Sequence, residues 1–500
     1  MMQVPVRTLG VTLGDLLPAS RSFGGRDVQV TSCCGDSRQC RAGDAFVALV
    51  GAESDGHDYA REAVERGAVA IVAERPLPVN VPVFVVDDTG EAYGRLCHSL
   101  AGHPSATSVK TVGVTGSQGK TITSMLIASV LEAASCATGI MGSLGFCDGV
   151  RMLESPDVTP PPAQLANWLR SMSANGCSHA VIEASSAGLA ARRLSGVELD
   201  AAIVTNVRRA HLDQHGSVLN YRRIKERIFE SLRPDGFAVI NADDPASCRM
   251  LSRMDHPVIT YGINEAAEVT ATMVENLSSE QTFLLNAGSD SVPVRTSMIG
   301  MHHVYNCLAA AAYGLVAGLD LETVVQGLES LRSIPGRMER LGAGQDFATF
   351  VDVASSPDAL AATLKSLRPV TSGRLICVFG AAGQQDHDER PLMGRVAERY
   401  ADLAVITSSN PRDEEPLRIA HDILDGCQFP GRAHVLPDRG RAIGWALGEA
   451  QRGDTILIAG RGDEKVYHVG SQRIDFDDRD VVRCLLQGLE QVTLPFPKAA

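Results

Sequence analysis

The clearest chemical signal in the chain is TVGVT (111–115) running into Gly116, Ser117, Gln118, Gly119, Lys120 and Thr121, followed by ITSMLIASVLEAA (122–134). A short apolar strand, a glycine turn and an amphipathic helix in this order make a cradle for phosphate. Glycines let backbone N–H groups turn toward the phosphate oxygens, and the helix N-terminus adds partial positive charge. Lys120 then reaches the terminal phosphates, and the Thr121 hydroxyl can ligate Mg²⁺. The general P-loop pattern asks for another glycine at position 114, which is Val114, so only the GK[ST] end holds. The surrounding strand and helix therefore carry the nucleotide reading, against the alternative of a glycine-rich turn with no ligand.

Other residues can serve the same chemistry only if the fold brings them near. Glu183 ends the apolar run HAVIEA (179–184), and His211 follows AAIVTN (201–206). Both stand at the carboxyl ends of expected strands, where open α/β sheets bind ligands. Lys225 lies in NYRRIKERIF (220–229), whose composition reads as a solvated charged helix face. Asn306, Arg337 and Asp352 read by themselves as surface or cap residues. Ser409, Asn410, Pro411 and Arg412 follow the run DLAVIT (402–407), where a planar arginine fork could bond a carboxylate.

The elements that must position these groups are legible as apolar runs. AFVALV (45–50), AVAIVA (68–73), VPVFVVDD (81–88), GFAVIN (236–241), RLICVFG (374–380) and TILIAG (455–460) join those already quoted. Runs of four to six apolar residues separated by helix-length segments predict buried parallel strands, hence an α/β fold. Polar breaks near 103–110 and 333–337 divide the chain into 1–109, 110–335 and 336–500, each able to hold one core.

Composition narrows the function classes. Five hundred residues are more than one hydrophobic core usually serves, and a 44% hydrophobic, 21% charged chain is a folded one. Aromatics at 5% predict aliphatic, alanine-rich cores. The net charge of −13 argues against nucleic acid or anionic membranes as partners. Twelve scattered cysteines with no CxxC pair read as reduced packing thiols. No segment reads as a signal peptide or a membrane span, so a cytoplasmic chain, working as a monomer, is expected.

The motifs together resemble the Mur ligases, the ATP-dependent amino-acid-adding enzymes of peptidoglycan synthesis. GSQGKT looks like their GTNGKT loop. Co-linear similarities run through GDAFVAL (43–49), DGHDYAREAVERGAVAIVAE (55–74), IEASS (182–186), TNVRRAHLDQHG (205–216), YRRIKERIF (221–229), VINADDP (239–245), GRMERL (336–341), VDVASSPDAL (351–360), ERPLMG (389–394), NPRDEEP (410–416) and AGRGDE (459–464). They cover nearly the whole chain and fit best the branch that adds the third residue of the stem peptide.

The resemblance implies a three-domain fold: a UDP-substrate domain, a central P-loop-type domain for ATP and Mg²⁺, and a Rossmann-like C-terminal domain for the amino acid. It implies addition of meso-diaminopimelate to UDP-N-acetylmuramoyl-L-alanyl-D-glutamate. Thr121, Glu183, His211 and a carbamylated Lys225 would hold Mg²⁺, with Lys120, Glu183, His211 and Lys225 as the reacting centre. Residues 116 to 121 with Ile122, Asn306, Arg337 and Asp352 would bind ATP. Ser37, Val158, Thr159, Ser185 and Arg193 would hold the muramoyl peptide. Arg390, Ser409, Asn410, Pro411, Arg412, Gly460 and Glu464 would hold the diamino acid.

The chain also departs from the family pattern. Ala187 and Ser355 stand where it has His, Ala210 where it has Asp, His303 where it has Asn, and Arg461-Gly462-Asp463-Glu464 where it has KGHE. Each change alters a polar site. Two other readings therefore stay open: a nucleotide-binding relative without turnover, and the same ligation with L-lysine.

Overall fold

The computed structural model describes residues 11–51, 54–155, 157–208, 215–251, 254–384 and 387–488. Three α/β units follow one another, each built on a largely parallel sheet. In the first, Arg21–Phe23, Val83–Val85, Ala70–Ala73, Asp44–Val47 and Ser32–Cys34 lie side by side in that order. Only the Arg21–Phe23 pairing is antiparallel.

The central sheet has eleven strands. The phosphate-loop strand Lys110–Thr115 lies inside it, flanked in parallel by His179–Glu183 and Leu199–Val204. Glu183 pairs in register with Val114, and Val204 with Thr115. The sheet thus delivers the Glu183 side chain and the Thr205-Asn206 turn to the rim where the glycine loop begins. Helix Lys120–Ala133 packs on one face with Met301–Val316, burying Leu126, Ile127 and Val130 against Ala309 to Ala312. Helix Pro162–Ala174 covers the other face through Leu165, Trp168, Leu169 and Met172. Alanine and aliphatic side chains do fill these cores, as the sparse aromatics predict.

At the far edge, Val269–Asn276, Gln281–Ala287 and Asp290–Thr296 form an antiparallel meander that no apolar run had marked. In Gln281–Ala287 buried residues alternate with half-buried ones, and Val269–Asn276 ends in exposed residues, so no long apolar run marks them.

The third sheet runs Glu339–Leu341, Ala348–Asp352, Thr455–Ala459, Leu375–Phe379, Leu403–Ile406 and Ala433–Val435. Its first pairing is antiparallel and the rest parallel. Asp352, Gly380, Thr407 and Gly460 lie at the carboxyl ends of its parallel strands, on one rim. Among the described residues, no helix is long and apolar enough to cross a membrane.

Candidate active site

The glycine loop leaves its strand at Gly116 and enters the helix at Gly119, whose φ of +84° only glycine adopts easily. A Cβ on Gly116 would meet Thr205 Oγ1 at 1.8 Å, and one on Gly119 would meet Asn306 Oδ1 at 2.4 Å. Both glycines are needed because neighbouring strands and helices approach the loop backbone itself. The loop is pinned from the Leu199–Val204 side: Gln118 N donates to Asn206 Oδ1 at 3.1 Å, and Thr205 Oγ1 donates to Gln118 O at 2.6 Å. Ser117 Oγ accepts from Arg208 N and lies 3.1 Å from Tyr221 Oη.

Two lysines converge on one carbonyl. Lys120 Nζ donates to Gly116 O at 3.0 Å and Lys225 Nζ donates to the same oxygen at 2.9 Å. Lys225 is buried, with its ammonium 4.7 Å from the centre of the Tyr221 ring. Composition had pointed to a solvated face, and Lys225 does not lie on one. Burial, reinforced by the charge of Lys120, pushes the Lys225 amine well below its usual range. Desolvation also lowers Lys120, with Glu183 opposing and Arg337 adding to the shift.

Glu183 is buried beside the loop. Its Oε2 accepts from Thr121 Oγ1 at 3.1 Å and its Oε1 from Ser143 N at 3.1 Å, while the Thr121 and Ser143 hydroxyl oxygens lie 2.8 Å apart. Burial raises its pKa; Lys120, the Ser143 amide, Arg337 and Thr121 hold it back. Arg337 arrives from the third unit, donating Nη2 to Ser143 Oγ at 3.3 Å and Nη1 to Asp463 Oδ1 at 2.6 Å. Asp352 positions that arrival. Its Oδ2 accepts from Met338 N at 2.7 Å, and its backbone oxygen accepts from Gly460 N at 3.0 Å.

Behind Glu183 lies a second polar group. Thr159 Oγ1 donates to Glu183 O at 2.7 Å and accepts from Ser185 N at 2.9 Å. Ser185 Oγ caps the following helix through Gly188 N. Arg193 Nη1 donates to Thr159 O and pairs with Asp157 at 2.7 Å. Val158 is half-buried beside Thr159.

On the third sheet's rim, Asn410 Nδ2 donates to Glu464 Oε2 at 2.7 Å, and Asn410 Oδ1 accepts from His468 N at 3.0 Å. Asn410 and Arg412 both have left-handed backbones, with φ of 46° and 55° around Pro411. That local strain turns the tip of the loop, and the Arg412 guanidinium has no side-chain partner among the described residues. Ser409 is buried, 3.7 Å from where a Gly460 side chain would start. Arg390 is fully buried and already paired, with Glu414 Oε2 and Asp422 Oδ2 each 2.8 Å from Nη1. The Arg390 pairing holds Glu414 down at about 2.

The structure thus brings together the glycine loop, Glu183, Lys225 and Arg337, with Asn306 under Gly119 and Ile122 turned into the core. Asn306 Oδ1 also accepts from Thr123 Oγ1 at 3.2 Å. His303 is buried, with Thr296 Oγ1 at 3.4 Å and Cys307 Sγ at 3.5 Å from its Nε2, and burial lowers it to about 3. Ser37 stands apart in the first unit, donating its hydroxyl to Glu62 Oε2 at 2.9 Å. His211 and Ala210 lie outside the described residues. Sequence reasoning missed Ser143, Tyr221 and the pairing role of Asp463. Tyr221 and Asp463 sat inside quoted motifs, whereas nothing around Ser143 marked it.

Hard oxygen donors grouped at Thr121, Ser143 and Glu183 fit a Mg²⁺ ion. A phosphate loop with Lys120 and Arg337 fits a polyphosphate.

Comparison with known proteins finds three family models along the chain. Residues 29–99 match the Mur ligase family catalytic domain, 114–314 the Mur ligase middle domain, and 336–462 the Mur ligase glutamate ligase domain. A protein of Geobacillus thermodenitrificans named UDP-N-acetylmuramoyl-L-alanyl-D-glutamate–2,6-diaminopimelate ligase is 38% identical over 483 residues, covering 95% of this chain and 99% of its own. A protein of the same name from Listeria monocytogenes serotype 4b is 35% identical over 484 residues, covering 95% and 98%. A solved structure, also titled as that ligase, superposes with a TM-score of 0.71 at 30% identity, covering 96% of this chain and 99% of that one. A Thermotoga maritima MurF ligase in complex with ADP has a TM-score of 0.60 at 20% identity over 92% of this chain and 96% of its own, a likeness of fold.

Proposed function

The chain belongs to the Mur ligase family, and from that premise we propose that it adds meso-diaminopimelate to UDP-N-acetylmuramoyl-L-alanyl-D-glutamate at the expense of ATP. The relatives that share nearly its whole length carry the name of this reaction. The structural observation that carries the reading is the meeting at the glycine loop. Lys120 and Lys225 share the Gly116 carbonyl, Glu183 and Thr121 are joined, and Arg337 reaches across from the third unit.

In this reading the division 1–109, 110–335 and 336–500 separates UDP binding, ATP binding and amino-acid binding. Ser37 faces the UDP end. Thr159, Ser185 and Arg193 hold the muramoyl peptide, whose D-Glu side-chain carboxylate takes the γ-phosphoryl group of ATP to give an acyl phosphate and ADP. The diamino acid's amine then attacks the acyl carbon, and phosphate leaves as the amide forms. Lys120 and Arg337 offset charge on the transferred group, and the loop amides orient it. Asn306 and Asp352 position the nucleotide.

Mg²⁺, held by Thr121, Glu183, His211 and Lys225, would neutralise phosphate charge. Lys225 suits that set as a carbamate. A buried amine kept neutral is the nucleophile that CO₂ needs, and the product anion would relieve the repulsion from Lys120. For the diamino acid, Arg412 is the free fork for the distal carboxylate, and Asn410 with Glu464 takes the adjoining ammonium. Ser409 and the Gly460 backbone line the same turn. Arg390, closed off by Glu414 and Asp422, braces the loop that carries Arg412. Closure of the three units would shield the acyl phosphate from water while the amine approaches.

Phosphate release by the purified chain tests the reading. Release should require ATP, the UDP-muramoyl dipeptide and meso-diaminopimelate together, and Lys120→Ala should abolish it in a folded protein. Release indifferent to the dipeptide would refute the proposal.

A further inference from the structure

Arg337 ties two ends of the site together through Asp463. Its Nη2 donates to Ser143 Oγ, which lies 2.8 Å from the loop threonine's Oγ1, so the guanidinium stands two hydrogen bonds from Thr121. Its Nη1 is taken by Asp463 Oδ1 at 2.6 Å, in a charge-assisted pair whose arginine side chain is 10% exposed. The backbones are fitted to each other at this point. A Cβ on Gly336 would come within 2.2 Å of Asp463 N, and one on Gly462 within 3.1 Å of Arg337 Nη1. The next residue, Glu464, accepts from Asn410 Nδ2 at 2.7 Å. Adjacent carboxylates thus face opposite ways: Asp463 toward the phosphate loop, Glu464 toward the turn that carries Arg412.

We propose that Asp463 is a positioning residue that couples the nucleotide end of the site to the amino-acid end, fixing Arg337 on the phosphate loop only when the 460–464 segment sets Glu464 against Asn410. The inference rests on the ligase reading above. A rigid dipeptide with one carboxylate at each end transmits position in both directions, because a ligand that fixes either end lowers the ordering cost of the other. A carboxylate stands at this place, where the family pattern has a histidine, and it meets the Arg337 guanidinium at 2.6 Å.

The test compares the wild-type chain with Asp463→Asn, which keeps shape and loses charge, and Asp463→Glu, which keeps charge. Asp463→Asn should raise KM for ATP and for meso-diaminopimelate each by about fivefold or more, while KM for the muramoyl dipeptide stays within about twofold. Asp463→Glu should recover part of both. A rise in only one KM, in none, or in all three with a falling melting temperature would overturn the coupling. If the wild-type chain ligates nothing, the function proposed above fails on its own account. The clamp is then read by calorimetry with the non-hydrolysable analogue AMPPNP and Mg²⁺: several-fold weaker binding to Asp463→Asn supports it, and equal binding overturns it.

Discussion

Lys225 shows how a side chain's chemistry is set by where the chain buries it. Its helix, Val218–Glu226, has a basic sequence, and by composition every cation on it belongs in water. The helix instead turns Tyr221, Ile224 and Lys225 inward, and the amine ends on the Gly116 carbonyl beside a second lysine. Such a placement is costly for an ammonium and less so for a neutral amine, and the carbamate proposed above would set its negative charge against Lys120. Lys225→Ala should therefore lose ligation without unfolding, and short-chain carboxylic acids should restore part of it by occupying the space of the carbamate. Steady-state assays with and without millimolar formate or acetate check this. A crystal structure showing a plain amine remote from any metal would refute it. Glu183 and Lys120 were legible from motif and strand position. Ser143 was not, because its role is a contact made across the sheet.

Among the elements, helix Thr89–Leu100 carries a burden the sequence did not announce. His98 is fully buried there, and neither ring nitrogen finds a hydrogen-bond partner among the described residues. Burial first, and then the charge of His103, lowers its pKa from 6.5 to about 4. The folded form holds the neutral ring, so the unfolded chain binds the extra proton between those two values. This contribution is fully present above pH 6.5 and is lost as pH falls toward 4, at a cost of about 3 kcal/mol. Urea unfolding at pH 7.5, 5.5 and 4.5 should show a steeper loss for the wild type than for His98→Leu. Parallel slopes would show that the imidazole is not desolvated. The same scale explains what the sequence could say about the fold. Parallel strands buried on both faces appear as apolar runs, as in TVGVT and HAVIEA, and these read correctly. The meander 269–296 is half-solvated and alternates, so it passed unmarked.

At the scale of the molecule, the site belongs to no single unit. The phosphate loop and Glu183 come from the central sheet; Arg337, Asp463, Asn410 and Arg412 come from the third. Lys465 pairs with Glu154 on the surface, and half-buried Arg192 pairs with Asp88 at 3.2 Å, so an ion pair crosses each junction. A surface pair such as Lys465–Glu154 adds little stability, which suits the closure proposed above. Contacts across units are invisible to periodicity and composition. Only the co-linear family motifs hinted that distant segments share one centre, and they named ligands without naming the pairs between them. The central claim is that this centre joins meso-diaminopimelate to the muramoyl dipeptide. Mass spectrometry of the product formed from the UDP-muramoyl dipeptide, ATP and equimolar meso-diaminopimelate and L-lysine tests it directly. The account predicts a product carrying diaminopimelate, with Arg412→Lys eroding that preference because an ammonium cannot replace the two-pronged fork. A product carrying lysine in equal or greater amount would contradict it.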